Sequence, residues 1–136
     1  MTLNGINVLV GCADWAWAEA VRCIFAPRGI NSMIASNAIE ALDIIEQRKI
    51  HTAIVDMDAE QISGLGIIKV IRNYHPMLPC LLVSGSSEQK VLSKALRLNV
   101  FSVIAKPVDI TILQEQLHRL FQRKYNSSVF DETHKS

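Results

Sequence analysis

Short apolar runs alternate along this chain with longer stretches in which apolar residues recur at helical spacing. The short runs consist mostly of Val, Ile, Leu and Ala, as do strands that are buried on both faces of a sheet. They predict strands at residues 6–10, 30–35, 53–56, 81–84 and 100–105. The longer stretches predict helices at residues 14–25, 37–48, 63–73, 88–98 and 109–123.

This alternation of strands and helices favours one architecture. Each helix carries the chain back to the start of the next strand, so the strands run mainly parallel, with right-handed crossovers and helices on both faces. The predicted fold class is therefore α/β, with a single doubly wound, five-stranded parallel sheet. We expect one domain over residues 1–124, and residues 125–136 as a flexible C-terminal tail or the start of a linker.

The composition agrees with one globular domain and narrows the range of partners. The chain has 136 residues, of which 49% are hydrophobic and 20% are charged. Its 14 basic and 13 acidic side chains leave a net charge of +1, which gives no electrostatic reason to expect binding to nucleic acid or to a membrane. Cys12, Cys23 and Cys80 have no C-x-x-C spacing, so we expect reduced, small hydrophobic residues. No apolar stretch has the length of a membrane span, and a cytoplasmic location is the expectation.

Polar side chains stand at the ends of three predicted strands. Asp56 ends the third strand, Ser84 ends the fourth and Lys106 follows the fifth. Parallel strands bring their carboxyl ends to one edge of the sheet, where α/β proteins hold ligands and reactive groups. We therefore expect an acid, a hydroxyl and an ammonium group to share that edge.

Several short motifs, taken in order and at their separations, carry a resemblance to one family. They are Asn37-Ala38-Ile39-Glu40-Ala41-Leu42, Asp56 followed by Ile62-Ser63-Gly64-Leu65, His75-Pro76-Met77-Leu78-Pro79 followed by Leu82-Val83-Ser84-Gly85, and Ala105-Lys106-Pro107. Together they resemble the receiver domain of bacterial two-component response regulators over about residues 6–123. The resemblance implies a flavodoxin-like fold.

The resemblance also implies roles for the polar residues at the strand ends. Asp56 would be the phosphoacceptor, which takes a phosphoryl group from a phosphohistidine on a sensor kinase or a phosphotransfer protein. Lys106 would contact the phosphoryl oxygens as a point charge, and Ser84 would donate a hydrogen bond to one of them. A receiver of this kind is not an enzyme, beyond its own phosphorylation and dephosphorylation at Asp56.

The chain departs from the family where the metal is bound. The family places two acids after the first strand, and these hold Mg²⁺ together with the phosphoacceptor and a backbone carbonyl two residues beyond it. Cys12 and Ala13 occupy the acid positions here, and neither supplies the hard oxygen ligand that Mg²⁺ requires. Asp56 and the backbone carbonyl of Asp58 remain as metal ligands, with Asp14 as a candidate substitute. We expect Mg²⁺ binding to be weak or absent.

Two further departures from the family pattern concern how the domain would signal to a partner. Glu60 stands where the family usually has proline. Val103 occupies the position of an aromatic residue whose rotamer reports the state of the hydroxyl at the Ser84 position. Because a valine has one stiff side-chain torsion, we do not expect signalling by the swing of a ring.

Three readings from different classes remain open. The first is an atypical receiver, weakly phosphorylated or independent of phosphorylation, that acts as a protein interaction module. The second is a working phosphoacceptor whose metal site is rearranged around Asp14. The third is a small-molecule or nucleotide binder on a flavodoxin-like fold, which the absence of a G-x-G-x-x-G or P-loop motif disfavours. The expected partners are a sensor histidine kinase, a phosphotransfer protein or another signalling protein, and a homodimer through the last two helices and the fifth strand.

Overall fold

The computed structural model describes residues 5–11, 15–57, 64–85, 93 and 96–127. Its strands are β1 (Asn7–Gly11), β2 (Asn31–Ala35), β3 (Thr52–Asp56), β4 (Cys80–Ser84) and β5 (Ser102–Ala105). Its helices are α1 (Trp15–Phe25), α2 (Ala38–Gln47), α3 (Gly64–Tyr74) and α4 (Ile110–Tyr125), with a short 3-10 helix at Ala26–Arg28. Between β4 and β5, Ser93, Leu96 and Arg97 are also helical.

The five strands form one sheet in the order β2-β1-β3-β4-β5. Every adjacent pair is parallel, which confirms the predicted fold class. In the register, Asp56 lies opposite Val83 and Ser84 lies opposite Ala105. The carboxyl ends of β3, β4 and β5 are therefore level with one another, and this alignment positions the site described below.

Apolar side chains fill both faces of the sheet. Val8 and Val10 of β1 face a cluster that includes Phe25 of α1 and Phe121 of α4. Leu9, between them in sequence, faces a second cluster, which includes Ile67 of α3. Because successive residues of a strand point to opposite faces, a strand covered by helices on both sides must be apolar throughout. This explains the continuous apolar runs of the sequence.

Side-chain caps mark the starts of α2 and α4. At α2, Asn37 Oδ1 accepts a hydrogen bond from the backbone N–H of Glu40 at 2.9 Å, as expected for a capping box. The reciprocal bond differs from the usual one, since Glu40 accepts the N–H of Ser36 and not that of the cap residue. Asp109 caps α4 in a similar way. Asp14, the expected cap of α1, lies outside the described residues.

The element ends differ from the predicted ones by one or two residues at most places. The largest shifts are at β5, which begins at Ser102 and not at residue 100, and at α4, which ends at Tyr125 and not at Arg123. The Tyr125 hydroxyl donates to the backbone carbonyl of His51, and this contact holds the last turn of α4 against the sheet. The chain leaves α4 through Asn126 in a left-handed conformation, followed by buried Ser127. No helix of the described part of the chain has the length and apolarity to cross a membrane.

Candidate functional site

Asp56 and Lys106 form an ion pair at the carboxyl edge of the sheet. Asp56 is the last residue of β3 and is 4% exposed. Lys106 Nζ lies 2.9 Å from both Oδ1 and Oδ2 of Asp56. Strand β4 lies between the strands that carry the two residues, and a long, flexible lysine side chain is suited to reach across it. The side chain of Lys106 remains 31% exposed, so the pair is open to the surface on one side.

Ser84 ends β4 between the two charged residues and is buried. Backbone hydrogen bonds continue the strand pairing past this point: Met57 N–H donates to Val83 O at 2.9 Å, and Lys106 N–H donates to Ser84 O at 3.0 Å. The sheet therefore sets the relative positions of the residues that follow β3 and β5. The structure brings Asp56, Ser84 and Lys106 to one edge, where the sequence predicted them.

The region expected to bind a metal is only partly described. Cys12, Ala13, Asp14 and Asp58 lie outside the described residues. Within the described ranges, no group of three His, Cys, Asp or Glu side chains is arranged to hold a metal ion. Both carboxylate oxygens of Asp56 accept from the Lys106 ammonium group, so a cation at this carboxylate would have to compete with it.

Gly11 ends β1 beside this region. A Cβ placed on Gly11 would lie 3.1 Å from Cδ1 of Ile67, which is tighter than ordinary van der Waals contact. A side chain at this position would require Ile67 of α3, which covers this face of the sheet, to shift. Gly11 therefore allows α3 to pack closely where the chain leaves β1 toward the metal-binding positions of the family.

Val103 of β5 contacts both the core and a cavity at the surface. Val103 is partly buried and packs against the core cluster on the α3 side of the sheet. Val103 also lines a cavity of about 270 Å³ between β5 and α4; Ile112 of α4 lines the same cavity and is 46% exposed. Both β5 and α4 belong to the surface through which the sequence analysis expects a homodimer.

A set of polar contacts at the amino edge of the sheet was missed by the sequence prediction. Arg72 of α3 donates hydrogen bonds to the backbone carbonyls of Leu78, Leu98 and Asn99 at 2.6–3.2 Å. Those carbonyls lie 6, 26 and 27 residues further along the chain. No local sequence signal identifies such partners, because they become neighbours only when β4 and β5 pair.

Two ionisable groups near the amino edge have shifted pKa values. Burial, with the positive charge of Lys49 as a second cause, lowers the pKa of His51 below its ordinary value of 6.5. The backbone N–H of Asn7 donates to Nδ1 of His51 at 3.1 Å, so this nitrogen acts as an acceptor and carries no proton. Burial also raises the pKa of the Cys80 thiol to about 11, which keeps it protonated and unreactive.

The exposure of Cys23 differs from the expectation from the sequence. It was expected to pack as a small hydrophobic residue, but it is exposed. The buried residues of α1 include Ala18, Val21 and Phe25, which recur at helical spacing on one face of the helix. Cys23 lies between the last two in sequence and therefore falls on the opposite face.

Comparisons with known proteins agree with this geometry. Residues 14–118 match the family described as response regulator receiver domain. The regulator of RpoS from Escherichia coli is 30% identical over 132 residues, which cover 96% of this chain and 39% of that protein. A putative NtrX-like response regulator from Rickettsia bellii is 27% identical over 104 residues, which cover 75% of this chain and 22% of that protein. The chain therefore spans well under half the length of these relatives.

Solved structures show the same fold. A response regulator receiver protein from Pseudomonas putida superposes with a TM-score of 0.78 at 28% identity, covering 87% of this chain and 99% of that one. The signal receiver domain of an HD domain-containing protein from Pseudomonas fluorescens gives a TM-score of 0.82 at 18% identity, covering 91% of this chain and 100% of that one. The strand order and the helices on both faces are common to the group.

Proposed function

Because this chain belongs to the response regulator receiver domain family of two-component signalling, we propose that it is an atypical receiver with Asp56 at the phosphoacceptor position and a degenerate Mg²⁺ site. The observation that carries the proposal is the buried carboxylate of Asp56, held at both oxygens by Lys106. The domain is phosphorylated weakly, or not at all, and acts mainly as a protein interaction module.

The chemistry at Asp56 follows from its contacts. A carboxylate oxygen attacks the phosphorus of a phosphohistidine, an O–P bond forms, and the P–N bond to the imidazole breaks. Since both oxygens accept from Lys106, the ammonium group must release one of them before attack and then follow the charge onto the phosphoryl group. Ser84, buried on the strand between them, donates to a phosphoryl oxygen in this proposal.

The residues available as ligands do not fit an ordinary Mg²⁺ site. Cys12 and Ala13 offer a thiol and a methyl group at the positions where the family has acids. Mg²⁺ takes hard oxygen ligands in near-octahedral geometry, and phosphoryl transfer depends mainly on positioning and on the neutralisation of charge by the metal. Lys106 alone leaves that charge undercompensated, which is the reason that we expect slow phosphorylation.

In this proposal, the surface formed by β5 and α4, which is part of the interaction face in the family, keeps nearly the same conformation whether or not Asp56 is phosphorylated. Val103 replaces the aromatic residue that reports the state of the site, and its side chain packs into the core cluster on the α3 side. The expected partners are a sensor histidine kinase, a phosphotransfer protein or another signalling protein. Hydrogen exchange with and without beryllofluoride tests this: large protection changes in β5 and α4 would contradict a static face.

Phosphorylation by acetyl phosphate tests the proposal directly. The wild-type chain and the double variant Cys12→Asp/Ala13→Asp are incubated with acetyl phosphate, with and without Mg²⁺, and followed by intact-mass measurement. We expect the double variant to gain one phosphoryl group in a Mg²⁺-dependent manner, and the wild type to react about 100-fold more slowly, because a metal supplies several kcal/mol of charge stabilisation. Asp56→Asn should abolish the reaction in both.

A functional metal site in the wild-type chain would give the opposite result. If the wild-type chain is phosphorylated as fast as the double variant and with the same Mg²⁺ dependence, its metal site is functional. Asp14→Asn then tests whether Asp14 supplies the missing ligand. Thermal unfolding adds a second measurement, since added carboxylates that repel one another should destabilise the metal-free double variant, and Mg²⁺ should restore its stability.

A further inference from the structure

A cleft of about 270 Å³ opens at the amino edge of the sheet. It lies where β4 and β5 begin, so it is at the opposite end of these strands from Asp56 and Lys106. Its lining includes Arg72, Met77, Pro79, Phe101, Arg123 and Lys124. None of these residues takes part in the phosphorylation chemistry proposed above.

Basic side chains from two helices line this cleft. Arg72 belongs to α3, while Arg123 and Lys124 belong to α4. Among the described residues that line the cleft, none is acidic. Within the described part of the chain, none of these three cations has a carboxylate partner, whereas Arg119, one turn earlier on α4, pairs with Glu115. A concave surface with unpaired cations attracts and holds anions more strongly than a flat one, because the low-dielectric walls focus the field.

Arg72 is a preorganised cation. Its guanidinium group donates to the carbonyls of Leu78, Leu98 and Asn99, and these bonds fix its position. A guanidinium group has five N–H bonds, of which three donate to these carbonyls, and the group also contacts the Cys80 thiol. The carbonyl oxygens are neutral and leave the full positive charge in place. Binding of an anion here would require little further ordering of this side chain.

Apart from Asn99, the remaining side chains that line the cleft are apolar. The guanidinium of Arg123 lies over the ring of Phe101, 5.9 Å from its centroid. Met77 is 76% exposed at the rim, and methionine adapts its shape to a bound apolar group. Cations beside an aromatic ring and flat proline surfaces suit a ligand that combines an anionic group with a planar one.

The helix dipole by itself can explain the position of each of these three cations. Arg72 is in the last turn of α3, and Arg123 and Lys124 are in the last turn of α4, where cations offset the helix dipole. That account does not explain why all three line one cleft whose described lining contains no acidic residue. We propose that this cleft binds a small organic phosphate of the size of a nucleoside monophosphate, with the phosphate held by Arg72, Arg123 and Lys124, and the planar group against Phe101 and Met77.

Titration with adenosine monophosphate tests the proposal, with amide NMR signals of the whole chain as the readout. We expect saturable shifts at residues 72, 99–101 and 123–124, with adenosine and inorganic phosphate each binding at least about tenfold more weakly, since each supplies only half of the contacts. Arg123→Gln and Lys124→Gln should each weaken binding about fivefold to tenfold. Arg119→Gln makes the same charge change on the same helix and should alter binding less than about twofold.

Two outcomes would overturn the proposal. One is the absence of saturable shifts at these amides with adenosine monophosphate at about 10 mM, well above the micromolar-to-millimolar range of ordinary ligands. The other is an equal effect of inorganic phosphate or of Arg119→Gln, which would mean nonspecific attraction of anions to a basic surface. Asp56→Asn should leave the affinity unchanged, so the result is independent of whether Asp56 accepts a phosphoryl group.

Discussion

The two edges of the central sheet hold their polar groups in different ways. At the carboxyl edge, the two charged side chains bond each other: Lys106 donates to both oxygens of Asp56. At the amino edge, several side chains donate to backbone carbonyls instead. Arg72 donates to three carbonyls, and the Thr52 hydroxyl donates to Pro79 O at 2.7 Å. The Tyr125 hydroxyl donates to the carbonyl of His51.

This difference suits the two edges to different roles, one in the stability of the fold and the other in chemistry. A side chain bonded to a buried backbone carbonyl cannot change partners without leaving that carbonyl unsatisfied. Two side chains bonded to each other can exchange partners while the backbone stays in place. The amino edge is therefore suited to hold the fold, and the carboxyl edge to accept and release a group.

Among these variants, Arg72→Met at the amino edge should lower the free energy of unfolding most. It removes three hydrogen bonds from a charged donor to backbone carbonyls, and we expect the free energy of unfolding to fall by about 3 kcal/mol in urea titrations. Arg97→Met, an exposed helical arginine, is the matched control and should change it by less than about 0.5 kcal/mol. Equal effects of the two variants would remove the basis for the comparison of the edges.

Lys106→Met should have a smaller effect on the free energy of unfolding, about 1–2 kcal/mol. It leaves the Asp56 carboxylate buried without its ammonium partner, but Lys106 is 31% exposed, so solvent already screens part of the interaction. The double variant Asp56→Asn/Lys106→Met also removes the buried negative charge and should be more stable than Lys106→Met alone. A loss from Lys106→Met that exceeds the loss from Arg72→Met would show that the ion pair is the main structural contact.

Tyr125→Phe tests a single contact at the amino edge. The variant leaves the carbonyl of His51 without its hydroxyl donor, and we expect a loss of about 1 kcal/mol in the free energy of unfolding. Tyr74→Phe removes the hydroxyl of a tyrosine that is 56% exposed, and its effect should be within about 0.3 kcal/mol of zero. If both variants unfold at the same urea concentration as the wild type, the last turn of α4 is not held by this bond.

The smallest expected effect is on the pH dependence of the free energy of unfolding. The pKa of His51 is lowered in the folded chain from the 6.5 of the unfolded chain, so below pH 6.5 the unfolded state binds more protons than the folded state. The contribution of His51 to stability should therefore fall as the pH falls from 6.5 toward the folded pKa, and should be constant above 6.5. Urea titrations at a series of pH values measure it. His51→Gln should reduce this slope, while His75→Gln, at an exposed position, should retain it.

The fold and the location of the candidate site could both be predicted from the sequence. Continuous apolar strands separated by helical patterns leave few arrangements other than a parallel sheet covered on both faces. Once the strands are parallel, Asp56, Ser84 and Lys106 must lie at one edge, because each follows or ends a strand. The prediction needed only local patterns and one topological rule. The roles of these residues and the weakness of the metal site stay predictions.

Only the tertiary structure decided which groups contact one another across the sheet. The partners of Arg72, the contact between Tyr125 and His51, and the cleft between α3 and α4 all join segments that are distant in sequence. Apolar periodicity records whether a residue is buried, and not which residue it meets, so the same pattern is compatible with many pairings. A long arginine or tyrosine side chain also reaches past its immediate neighbours, and its acceptor is fixed only when the strands have paired and the helices have packed.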